Sequence, residues 1–82
     1  MDGLIEGRIV HYVTQSGNHR PAIIVQVWNK EDGLSNLQVF TDGNNDYQVR
    51  PEFTKVANVV WTPSIKFSEE PKPATWHWIE RE

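Results

Sequence analysis

Pro21-Ala22-Ile23-Ile24-Val25-Gln26-Val27-Trp28 is the stretch that decides the fold class. Apart from Gln26 it is apolar throughout, and Ile and Val dominate it. β-Branched side chains favour a pleated backbone over a helix. An unbroken apolar run of this length reads as a strand covered on both faces, which places it centrally. Pro21 is tolerable because it is the first residue and need not donate to a neighbour.

Working outward, period two recurs on both sides. Gly7 to Thr14 reads as a first strand, with Ile9, Val10, Tyr12 and Val13 as its apolar residues. Ser16-Gly17-Asn18 is the turn that joins it to the central strand. Glu31-Asp32-Gly33 is a hairpin turn. Asn36 to Thr41 is a third strand, alternating Leu37 and Val39 against Gln38 and Phe40. Asp42-Gly43-Asn44-Asn45-Asp46 is a loop in which every residue favours turns.

Phe53 to Trp61 is the predicted fourth strand, with Asn58 as the expected site of a bulge. Thr62-Pro63 marks a break, Ser64 to Phe67 a short fifth strand, and Thr75 to Ile79 a last one. The prolines at 71 and 73 keep the intervening segment out of any sheet interior. No helix is expected. The sequence predicts a single all-β domain over residues 1–82. Its expected form is a small SH3-like barrel or a curled antiparallel sheet of five or six strands.

A chain of 82 residues buries only about 60–65% of the surface that its unfolded form exposes. It has no Cys, so disulfides and thiolate metal clusters are out of reach. Four Trp, three Phe and two Tyr offer dense aromatic packing instead, and self-association offers a second remedy. A homo-oligomer is therefore expected. The acidic start Met1-Asp2-Gly3-Leu4-Ile5-Glu6 lacks the apolar run of a signal peptide, and no stretch has the length of a membrane span. These features predict a cytoplasmic protein. The net charge of −3 disfavours a DNA or RNA polymer as partner, since phosphate neutralisation needs a basic surplus. A small anionic ligand needs only a few local cations.

The usual catalytic constellations are missing. There is no Cys nucleophile, no Gly-x-Ser-x-Gly elbow, no phosphate-binding Gly loop and no dinucleotide fingerprint. No enzyme activity and no cofactor are expected. His11, His19 and His77 do not pair at any metal-ligand spacing. Each is expected as a half-buried strand or turn residue, and no metal site is predicted; a three-His zinc site would have to be assembled in space. The loop from Asp42 to Asp46 fails as an EF-hand, because Tyr47 and Phe53 stand where Gly and Glu are needed. Glu69, Glu70, Glu80 and Glu82 read as solvated charge.

The aromatic residues carry more information. Trp28 and Trp61 end predicted strands, near a barrel rim, and Trp76 and Trp78 share one face of an extended segment with His77 on the other. Each Trp either packs in the core or offers a stacking platform for a base. Arg20 and Arg50 directly precede prolines, which stiffen their loops, and suit a phosphate or solvent equally. The candidate ligand-binding set is Arg20, Arg50, Trp28, Trp61, Trp76, Trp78, His19, Asn44 and Asn45.

Four runs carry a likeness that extends over most of the chain: Gly7-Arg8-Ile9-Val10-His11-Tyr12-Val13, His19-Arg20-Pro21-Ala22-Ile23-Ile24-Val25, Asn36 through Asp46, and Trp76-His77-Trp78. Together they resemble a family of short proteins from tailed bacteriophages and prophages. The resemblance implies a viral protein of the host cytoplasm with an anti-defence role. By analogy with aromatic-rich sponges of similar size, it implies sequestration, without turnover, of a nucleotide-derived signal made by Thoeris or CBASS immunity. The ligand would be of the cyclic ADP-ribose or cyclic dinucleotide type. No sponge residue pattern maps onto this chain position by position. Two other functions fit the residues: a protein-interaction or virion accessory module, and a nucleotide-degrading enzyme, with or without a metal.

Overall fold

The computed structural model describes residues 1–42, 46 and 58–80. Five strands follow in chain order: β1 (Ile9–Val13), β2 (His19–Asn29), β3 (Leu34–Phe40), β4 (Val59–Phe67) and β5 (Thr75–His77). They close into a barrel in the order β1-β2-β3-β4-β5. This is the all-β, SH3-like architecture that the period-two pattern predicts, and the described residues contain no helix. Neighbours run antiparallel except β4 and β5, whose parallel pairing of Lys66 with Thr75 and Phe67 with Trp76 closes the barrel. β5 also pairs antiparallel with β1, matching His11 to His77 and Tyr12 to Trp76.

Alternation sets the core. Val10 and Tyr12 on β1, Ala22 and Ile24 on β2, Leu37 and Val39 on β3, Val60 on β4 and Trp76 on β5 are all buried. Leu4 and Ile65 complete the cluster. The opposite faces of the same strands look outward. There the register sets Ile9, Ile23, Gln38 and Trp61 side by side across β1 to β4. The central strand therefore lacks the second cover predicted for it. A barrel has one interior, so the outer residue Val25 stays exposed and Ile23 only half-buried.

Two segments differ from the sequence reading. β4 runs unbroken through Thr62-Pro63. The β3–β4 register shifts between Ser35 and Leu37, opposite this point, so Pro63 sits where the ladder is already irregular. Ser64 takes a φ of 58°, and its N–H donates to Asn36 Oδ1 at 2.8 Å. Asn58 lies just before β4, where its carbonyl accepts from Thr41 N–H at 2.8 Å. The predicted strand start at Phe53 lies outside the described residues, as do Arg50, Asn44 and Asn45.

The β2–β3 turn is fixed by its own side chains. Asn29 Oδ1 accepts from Glu31 N–H at 2.8 Å, and Asp32 Oδ1 accepts from Leu34 N–H at 3.0 Å. Gly33 has a φ of 83° and is buried against the barrel. Its carbonyl accepts the Trp76 indole N–H at 2.8 Å, which ties the turn to β5.

Candidate metal centre

β5, β1 and β2 are adjacent, and each turns a histidine to the outer face. On β1 the inward positions are Val10 and Tyr12, so His11 points out. On β5 the inward position is Trp76, which leaves its register neighbour His77 beside His11. On β2, Ala22 and Ile24 point inward, so Pro21, the partner of His11, and His19 point out. Three imidazoles far apart in sequence thus meet on one patch of barrel wall. Their ring centroids lie 6.1 Å (His11–His19), 5.8 Å (His11–His77) and 4.8 Å (His19–His77) apart.

Glu80 completes the group. Three residues past His77, its carboxylate enters among the rings: Oε1 meets His11 Nδ1 at 3.1 Å and Oε2 meets His19 Nδ1 at 3.2 Å. Oε1 also bonds His77 Nε2. Burial works against charge on Glu80, but the hydrogen bonds from His11, His19 and His77 outweigh it and hold its carboxyl down to about 2. Glu80 is thus anchored among the imidazoles and is not the freely solvated charge expected from the sequence. One potential donor atom from each of the four residues lies within 4.8 Å of the others.

Two of the separations suit a metal ion as they stand. Ligands at about 2.0–2.1 Å from a tetrahedral zinc stand roughly 3.4 Å from one another. The His11–Glu80 and His19–Glu80 separations are already close to that edge. Imidazole nitrogen and carboxylate oxygen suit first-row divalent ions such as zinc. Burial is graded: the His77 side chain is 7% exposed, His11 23%, His19 31% and Glu80 49%. His77 Nδ1 is buried without a hydrogen-bond partner. The three strands hold the imidazoles, and the carboxylate faces solvent.

A cleft of about 400 Å³ opens beside the group, lined by Met1, Phe67, Glu69, His77, Trp78 and Glu80. Trp78 stands edge-on to Phe67 and Trp76, and the Arg8 guanidinium lies 5.8 Å from its ring centroid.

The predicted ligand set is dispersed. His19 is in the imidazole group and Trp78 lines the cleft. Trp76 is fully buried in the core, so it offers no stacking face. Trp28 and Trp61 are exposed on the barrel, and the Trp28 indole is pinned by Asn36 Oδ1 at 3.0 Å. Arg20 is already engaged. Its Nε and a terminal nitrogen donate to Asp46 at 2.6 and 3.2 Å, and Asn18 donates to the same carboxylate at 3.0 Å. Asp46 also accepts from Asp42 N–H at 2.7 Å. Burial opposes ionisation of Asp46, yet the bonds from Arg20, Asn18 and Asp42 hold its carboxyl below the usual range.

His11, His77 and Glu80 were absent from the predicted set. Period two alone puts His11 and His77 on the face opposite their core neighbours. What joins them is the β5–β1 pairing, which no local pattern announces. Comparison with known proteins adds no relative: no family model, curated protein or solved structure matches the chain.

Proposed function

We propose that this protein binds a first-row divalent metal ion, of the zinc class, through His11, His19, His77 and Glu80. The observation that carries the reading is the convergence of three imidazoles from three adjacent strands on one carboxylate. A cation gives such a group a favourable reason to gather. The chain acts as a binder: His11, His19 and His77 grip the ion and Glu80 neutralises part of its charge.

The test is metal content. Purified full-length protein, dialysed against zinc and then buffer, retains about one zinc per chain by elemental analysis if four protein ligands hold it. Replacing His11, His19 and His77 together with Ala abolishes retention. A triple variant that keeps its zinc refutes the reading.

Sequestration of a nucleotide-derived signal, expected from the likeness to phage proteins, is a second reading. One observation favours it: an aromatic residue, Trp78, lines a cleft that reaches His77 and Glu80. A ligand recovered intact after heat denaturation supports a sequestering role, and a chemically changed one supports an enzyme. The expected self-association is supported by exposed Ile9, Phe40, Val59 and Trp61 on the outer wall. Sedimentation of the wild type beside Trp61→Lys tests it. No described helix is long and apolar enough to cross a membrane.

A further inference from the structure

The four proposed ligands are not equivalent. His11, His19 and His77 lie in strands whose register is fixed by the barrel ladder. Glu80 lies beyond β5, and its side chain is the most exposed of the four. It is also the ligand that borders the cleft together with His77. Three ligands are set by the barrel, and one can be exchanged from the side where a molecule has room to stand.

We infer that the cleft receives a small aromatic molecule carrying an anionic oxygen donor, a phosphonate, phosphate or carboxylate, which replaces Glu80 on the ion while its ring packs on Trp78 and Phe67. This rests on the metal reading above. The volume of about 400 Å³ falls within the range of small-ligand sites. Phe67 and Trp78 supply an apolar wall, and Met1 adds a polarisable one.

The charge balance makes the ion necessary. Without it, the cleft presents two carboxylates, Glu69 and Glu80, and repels an anion. With it, Glu80 offsets only one of the two positive charges, so the ion still attracts an oxygen anion. Exchange of Glu80 for the ligand's oxygen is a substitution at the metal: one metal–oxygen bond breaks, another forms, and no proton or electron is transferred.

Phenylphosphonate is a suitable probe, with methylphosphonate as the control that lacks the ring. Full-length protein loaded with cobalt(II) or zinc is titrated by calorimetry, and the cobalt form is followed by its visible spectrum. The expected result is binding that shifts the cobalt bands without releasing the ion. Phenylphosphonate binds about tenfold tighter than methylphosphonate, the equivalent of one aromatic contact. Trp78→Ala removes that preference and leaves methylphosphonate binding in place. Glu80→Ala still takes up the metal through three histidines and binds phenylphosphonate several-fold tighter, because no carboxylate has to be displaced.

Equal phenylphosphonate affinity with and without metal, or unchanged cobalt bands on binding, overturns the inference. So does a lack of preference for the phenyl group. A protein that takes up metal but not phenylphosphonate refutes this inference alone. A protein that takes up no metal refutes the metal reading, and this inference falls with it.

Discussion

Replacing Gly33 with Ala tests the packing of the β2–β3 turn against β5. An ideal Cβ at Gly33 lies 2.6 Å from Phe67 Cβ, 3.1 Å from Trp76 Cζ2 and 3.3 Å from Met1 Cε. The first contact is with the stem of a side chain fixed by β4, so backbone must move to relieve it. The φ of 83° adds a second cost. A left-handed conformation costs an L-residue about 1–2 kcal/mol, and overpacking a core about 1–3 kcal/mol. Lower entropy of the unfolded chain returns roughly 0.4–1 kcal/mol. The net loss is about 2–4 kcal/mol.

Gly17→Ala is the internal control. Gly17 has a φ of 92°, but a Cβ there meets nothing within 4 Å. Only the conformational cost applies, about 1 kcal/mol after the entropic return. Urea unfolding followed by tryptophan fluorescence measures both. With a slope near ~1 kcal/mol/M for a small domain, the midpoint falls by about 2 M or more for Gly33→Ala and by about 1 M for Gly17→Ala. Equal losses in the two variants would refute the close approach of the turn to Phe67 and Trp76.

Other perturbations probe the remaining features. Zinc at a hundredfold excess over its Kd stabilises the fold by about 2.7 kcal/mol, which raises Tm by roughly 10–20 °C in a domain of this size. Scanning calorimetry with zinc and with chelator reads the shift, and a shift that survives in the triple histidine variant would contradict it. Trp76→Ala costs about 3–5 kcal/mol by emptying the core, whereas Trp61→Ala, at a 54% exposed site, stays within about 0.5 kcal/mol in denaturant melts. For Asp46 the folded carboxyl titrates below the unfolded value of about 4, so its stabilisation is complete above that pH and is lost as pH falls through the folded value. Asp46→Asn therefore lowers stability by about 1–3 kcal/mol at pH 7, and the gap to wild type narrows in urea melts taken at progressively lower pH.

Much of the barrel is written in local alternation. Leu37 and Val39 against Gln38 and Phe40 forecast which face of β3 is core, and the Gly33 turn is legible from its neighbours. Pro63 was misleading because proline ordinarily ends a strand, and only the register shift opposite it, a property of the partner strand, lets β4 continue. Val25 looked buried because an apolar run does not distinguish a sheet packed on both faces from a barrel with an apolar exterior. The imidazole group was illegible for a different reason. Metal-ligand spacing is a signal only when ligands share a local element, and here each histidine comes from its own strand. Arg20 looked free because its partner, Asp46, reaches it from a distant loop.

The seam between β1 and β5 has a kinetic meaning as well. His11–His77 and Tyr12–Trp76 join residues near opposite ends of the chain, and β5 contributes only three residues to the contact. Contacts of such long sequence separation are costly to close and slow folding. An ion gripped across this seam finds its ligands only after the ends have met, so it contributes little to an early folding transition state. Metal loading would then leave the refolding rate nearly unchanged and act on unfolding, lengthening the lifetime of the native barrel.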